Sequence, residues 1–157
     1  MTKSIKELIE DLGNDDEFIQ EEARTLLESN QEESLESLID ALLNNKNKNV
    51  KISAAKVLGF IGGEKVIDPL INALHDNNKL VRREASTALS KMGNEAVDPL
   101  IQTLNDDNWR VKGAAAWALG NIGNKKALDP LNDLLTDKSA FVKTGAKWAI
   151  SNINKND

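Results

Sequence analysis

Asp68-Pro69-Leu70-Ile71 opens a stretch, DPLINALHDNNKLVR over residues 68–82, that the chain writes again. It returns as Asp98-Pro99-Leu100-Ile101 and as Asp129-Pro130-Leu131-Asn132, in steps of 30 and 31 residues. Each copy runs on to an Asp and, six residues later, to a base that follows a Val: Asp76 to Arg82, Asp106 to Lys112, Asp137 to Lys143. Weaker copies lie upstream, where Val50-Lys51 follows Leu38-Ile39 and Ile19-Gln20 follows Leu8-Ile9. A fixed period of this length marks a repeat architecture, in which each unit is too small to bury its own apolar face and must stack on its neighbours. Five copies fit, at about 5–35, 36–67, 68–97, 98–128 and 129–157, within one expected domain spanning 1–157.

Each copy reads as two helices. The Asp-Pro pair predicts the start of helix A, with Asp as N-cap and Pro at the first helical position, where its missing N–H had no partner in any case. Leu70, Ile71 and Leu74 then follow helical spacing. A polar turn such as HDNNK leads into helix B, and its Asp is expected to cap that helix. There Val81, Ala85, Ala88, Leu89 and Met92 make a single apolar stripe, repeated as Val111, Ala115, Ala118, Leu119 and Ile122. Gly62, Gly93 and Gly123 are expected to stop helix B, since Gly accepts the left-handed conformation just past a helix end. The expectation is an all-α solenoid of five helical hairpins.

Composition narrows the function. The chain has 157 residues and no Cys, which excludes a disulfide framework, a thiolate zinc site and a Cys nucleophile. Its N-terminus turns acidic within seven residues and has no apolar core of a signal peptide. No apolar run approaches the ~18 residues needed to span a bilayer. A soluble, cytoplasmic protein with no membrane partner is therefore expected. The net charge of −5 hides an asymmetry: residues 1–40 hold thirteen acids and three bases, the remaining 117 twelve acids and seventeen bases. The acidic end reads as a solubilising cap or as a field that orients a partner.

Asp106, Val111, Lys112, Ala115, Ala118, Leu119, Ile122 and Gly123 together resemble the HEAT-like repeat of the phycobilisome-lyase type. The resemblance covers nearly the whole chain and is weakest in residues 1–35. It implies a right-handed α-α superhelix with helix B lining the concave side. It also implies a ladder of hydrogen bonds and ion pairs between successive repeats, made by the turn Asp and the base after the Val. The first two repeats lack the Asp, so that end is expected to be looser. The family includes scaffolds, lyase subunits and adaptors, so its fold says little about function.

Advancing ~100° per residue along helix B separates a buried arc from an exposed one. The residues five and nine after the Val are small in the middle copies, Ala55 and Gly59 or Ala116 and Gly120, and are expected to let the next repeat come close. Exposed positions are the residue before the Val and those 2, 3, 6 and 10 after it. Repeat one places Phe18, Glu21, Glu22, Thr25 and Ser29 there; repeat two places Asn49, Ile52, Ser53, Lys56 and Phe60. Repeat three gives Leu80, Arg83, Glu84, Thr87 and Lys91. Repeat four gives Arg110, Gly113, Ala114, Trp117 and Asn121, and repeat five Phe141, Thr144, Gly145, Trp148 and Asn152. Five of the six Phe and Trp residues fall on this stripe, and Trp109 precedes it by one. A position that holds Trp in two copies but Thr25, Lys56 and Thr87 in the others is not a core position. Trp117, Trp148, Phe141, Arg110, Arg83, Lys91, Lys56 and Phe60 are thus the candidate partner-binding residues, with Gly113, Ala114 and Gly145 leaving room beside them.

Catalytic chemistry is missing from the sequence. His75 is the only histidine, which leaves no triad, no HExxH helix and no zinc set. The paired His-Glu motifs by which HEAT-like deoxyhypusine hydroxylases hold iron are not present. No cofactor or metal is expected, and the expectation is a non-enzymatic scaffold or adaptor for a protein or peptide. Two alternatives remain open: nucleic-acid binding on the same basic and aromatic face, as in HEAT-like DNA glycosylases, and an accessory subunit of a lyase. Against nucleic acid stand an isoelectric point near 5.0 and a face with few bases.

Overall fold

The structure, a computed structural model, describes residues 2–156. Among them are ten α-helices and no strand: α1 (Ile5–Asp11), α2 (Glu17–Ser29), α3 (Gln31–Asn44), α4 (Lys48–Ile61), α5 (Glu64–Ala73), α6 (Lys79–Met92), α7 (Val97–Thr103), α8 (Trp109–Ile122), α9 (Leu128–Asp133) and α10 (Ala140–Lys155). Odd-numbered helices are the A helices and even-numbered ones the B helices of five hairpins. The fold is all-α, as the period requires.

The chain divides into two compact units, Met1–Ala88 and Leu89–Asp157. In the first, α3 touches α1 and α5, while α4 touches α2, so A helices stack on A and B on B. In the second, α8 packs along α10, with α7 against α8 and α9 against α10. The stripe read from the sequence is the core: Val81, Ala85, Leu89, Val111, Ala115, Ala118 and Leu119 are buried. The small positions act as expected. A Cβ added at Gly59 would lie 2.7 Å from the Ala88 Cβ, and one at Gly120 would lie 2.8 Å from the Ala149 Cα.

The A helices begin earlier than the Asp-Pro signal placed them. Helix α5 starts at Glu64, so Pro69 lies inside it, and 3-10 turns at Gly93–Ala96 and Lys125–Ala127 lead into α7 and α9. Pro99 and Pro130 are then the third residues of their helices. That is physically allowed because the whole first turn lacks intrahelical acceptors, not only its first residue. Gly62, Gly93 and Gly123 do take positive φ, of 67°, 68° and 81°, where helix B ends.

The turn Asp has a different task from capping helix B. The N-caps are Asn47, Asn108 and Ser139, with Asn78 accepting from the Leu80 N–H in the same way. Asp76, Asp106 and Asp137 sit two residues earlier and accept the backbone N–H of the cap residue itself, at 2.8, 2.8 and 2.9 Å. The outer oxygens of Asp76 and Asp137 take the base of the preceding repeat: Lys51 Nζ donates to Asp76 at 2.6 Å and Lys112 Nζ to Asp137 at 2.5 Å. Repeat two thus supplies a rung of the ladder through Lys51 although it has no Asp of its own. Arg82 donates to the carbonyls of Asp76 and Asn77 in its own turn.

Candidate functional site

Two N-caps aim the aromatic side chains of the second unit. Asn108 accepts from the Arg110 N–H and starts α8; Ser139 accepts from the Val142 N–H and starts α10. Trp109 and Phe141 therefore enter on the first turns of two helices that lie against each other. Their rings meet edge to face, with centroids 5.4 Å apart and planes at 76°. The Arg110 guanidinium carbon stands 4.4 Å from the Trp109 ring centre, a cation–π contact. Two turns further on, Trp117 of α8 and Trp148 of α10 run nearly parallel, with centroids 6.3 Å apart and planes at 12°.

These rings are not core. Trp117 and Trp148 each keep 40% of their surface exposed, and Trp109 and Phe141 keep 42% and 55%. Ala118 and Leu119, which follow Trp117 in α8, are by contrast fully buried. The amides beside the rings hold the frame. Asn121 Nδ2 donates to the Trp117 carbonyl at 3.0 Å, and Asn152 Nδ2 reaches from α10 to the Gly120 carbonyl at 2.7 Å.

Gly113 does not leave room for an incoming group. It is buried, and a Cβ there would collide with the Phe141 ring, which fills the space itself. A Cβ on Gly145 would stand 3.9 Å from the Gly113 carbonyl, an ordinary van der Waals contact, so the spacing of the two helices does not require this glycine. Trp109, which helical phase put one position outside the stripe, belongs to the cluster. Its position as the first residue of α8 frees it from that phase, and the pairing with Phe141 comes from a neighbouring repeat.

In the first unit Phe60, Lys56 and Arg83 are exposed, as the phase predicts, and so is Phe18. Ser53 is the exception: it is buried, and its hydroxyl donates to the Leu12 carbonyl at 3.2 Å. Lys91 is exposed in the last turn of α6. The carboxyl beside the aromatic cluster whose titration is shifted belongs to the ladder. The Lys112 ammonium, with the Ser139 N–H, holds the Asp137 carboxyl below its ordinary value of 3.8. Among the described residues, no group of three or more His, Asp or Glu side chains is placed to hold a metal ion. No helix among them is long and apolar enough to cross a membrane.

Hairpins that stack A on A and B on B, joined by an Asp–Lys ladder, define a helical-repeat protein. More narrowly, the chain belongs to the HEAT-repeat family: the family model for HEAT repeats matches residues 2–90 and 67–151. Among curated proteins no sequence matches. Among solved structures it is similar to the complex of CpcE and CpcF of phycocyanin lyase from Nostoc sp. PCC7120, at 21% identity and TM-score 0.64, over 92% of this chain and 96% of that one. It is also similar to human deoxyhypusine hydroxylase, at 21% identity and TM-score 0.65, over 96% of this chain but only 62% of the hydroxylase. An engineered protein matches at 25% identity and TM-score 0.50, over 96% of this chain and 81% of that one. At these identities the lyase and the hydroxylase share the fold alone.

Proposed function

We propose that the chain is a non-enzymatic binding module that takes a protein or peptide on its helix B face, centred on Trp117 and Trp148. The observation that carries this is the aromatic exposure. Two indoles at one repeat position stand half in water, beside a second aromatic pair and Arg110, on two helices that pack against each other. Trp and Arg in this setting are the residue types that supply most interface energy. Lys56 and Phe60 on α4, Arg83 on α6 and Lys91 extend the set of side chains available to a partner. The same residues, which include no clustered nucleophile, base and orienting group, give no support to catalysis.

The test is to recover partners from native lysate and then measure the affinity of the purified one for the wild-type chain, Trp117→Ala and Trp148→Ala. Each variant is expected to lose about 30-fold or more, equivalent to ~2 kcal/mol. Added salt should change the affinity little. A slope of log affinity against log salt of several units, which phosphate contacts impose, would assign the face to nucleic acid and reject the peptide reading. Undiminished binding by both variants would reject the face.

A further inference from the structure

The chain carries on its own surface the kind of group that its aromatic face lacks. Helices α8 and α10 hold five bases (Arg110, Lys112, Lys143, Lys147 and Lys155) and no acid. Lys112 is committed to Asp137, but Arg110 is exposed over the Trp109 ring, and Lys147, beside Trp148 in sequence, is exposed on the flank of α10 where earlier repeats meet the next one. Helix α2 is the opposite. It holds four acids against the single base Arg24, and its first turn projects Phe18, 88% exposed and the barest aromatic of the described chain. Asp15, Asp16 and Glu17 stand immediately before that ring, all exposed, and Glu21 and Glu22 follow it. Arg24 pairs with Glu21, and Lys3 lies 3.5 Å from Glu22, so of the acids that flank Phe18 those in no ion pair are the ones N-terminal to it.

We infer that α2 of one copy docks on the α8–α10 face of a second copy, Phe18 entering between the aromatic side chains while Asp15 and Glu17 face Arg110 and Lys147. Both patches are held on formed helices: Asp16 caps α2 by accepting the Phe18 N–H at 2.9 Å, as Asn108 and Ser139 cap the other two. Little ordering is therefore needed on contact. The charges are complementary, which favours encounter and fixes orientation. The two patches differ, so the pairing is head to tail, and each contact leaves one patch of each kind free to extend or close the assembly. This uses the face proposed above for a partner but needs no foreign protein, and its failure leaves that reading standing.

Sedimentation of the full chain tests it, at low and high salt, from roughly micromolar to millimolar concentration. The mean mass should rise above the 17.2 kDa of one chain with concentration at low salt and return to it at high salt. Phe18→Ala should weaken association about tenfold. Asp15→Lys with Glu17→Lys should abolish it, as should Arg110→Glu with Lys147→Glu, and mixing these two charge-reversed chains should restore a pair. A chain that stays monomeric at low salt overturns the inference. So does association that Phe18→Ala leaves unchanged, or a mixture that does not pair. A monomer whose α8–α10 face binds an acidic, aromatic synthetic peptide gives the face to a foreign partner and likewise overturns self-pairing.

Discussion

Helices α2 and α8 hold the same post in their hairpins, yet α2 buries two residues and α8 seven. Helix α2 buries Ala23 and Leu27; α8 buries Val111, Gly113, Ala115, Ala116, Ala118, Leu119 and Gly120. The apolar stripe is shared, Ala23 and Leu27 matching Ala115 and Leu119. What differs is the flank that meets the next repeat, where α8 has Ala116 and Gly120 and α2 has Arg24 and Glu28. Small residues there bring α10 to within van der Waals contact of the α8 backbone. On α2 the flank stays polar, and partial burial with Glu21 nearby pushes the Glu28 carboxyl above its ordinary 4.5. One stripe decides that both are helices of a stack. The flank decides how tightly the stack closes.

The largest expected effect is at the stripe. Leu119→Ala should cost ~2–5 kcal/mol in chemical denaturation, because the fully buried side chain leaves a cavity in a layer that cannot collapse. Leu27 is as buried, but it lies in an end repeat, which opens locally with little consequence for the rest. Hydrogen exchange should therefore speed up in α1 and α2 alone for Leu27→Ala. Equal loss of protection throughout for both variants would break the distinction between end and middle.

At the flank, Gly120→Ala should cost ~1–3 kcal/mol, since the added methyl meets the Ala149 Cα at 2.8 Å and the Trp148 ring at 2.6 Å. A neutral effect in thermal melts would mean that α8 and α10 stand further apart.

The ladder comes next. Lys112→Met should cost about 1 kcal/mol at neutral pH, the scale of a partly exposed ion pair. The folded Asp137 carboxyl titrates below 3.8, so its pair with Lys112 stabilises fully above that pH and is lost as pH falls through the lower folded value. The gap between wild type and variant should accordingly close below pH 3.8, measured as denaturation midpoints against pH. A gap that persists in strong acid would mean that the Lys112 stem, not its charge, does the stabilising.

The spacing of Val, Ala and Leu in helix B made the fold and the exposed face legible, because both depend on phase within one helix. The start of helix A was misread for a definite reason. Pro99 and Pro130 sit within first turns, where the missing N–H has no intrahelical acceptor to lose, and Pro69 lies deeper still in α5, so Asp-Pro marks a neighbourhood of the helix start and not its first residue. The true caps of helix B were in plain view as Asn47, Asn78, Asn108 and Ser139, always two residues after the Asx of the turn. The cluster of Trp109 with Phe141, and the filling of Gly113 by that Phe, join residues of different repeats. Counting along one helix cannot reach them.

The smallest effect is the one that bears on the face itself. Trp117→Ala removes one of the two indoles of α8, and by volume alone it should cost more than Leu119→Ala in the same helix. It should instead cost only about 1 kcal/mol, roughly the worth of one aromatic pair beyond its buried area. The ring rests on Trp148 and has 40% of its surface in water, so truncation opens no closed cavity, and solvent enters where the indole stood. Thermal melts of Trp117→Ala beside Leu119→Ala decide the matter. A Trp variant as unstable as the Leu variant would make the indole part of the packed layer, and the helix B face would lose its centre. A Trp variant near wild type would leave two stacked indoles held in water at little benefit to the fold, which is the condition a binding face must meet.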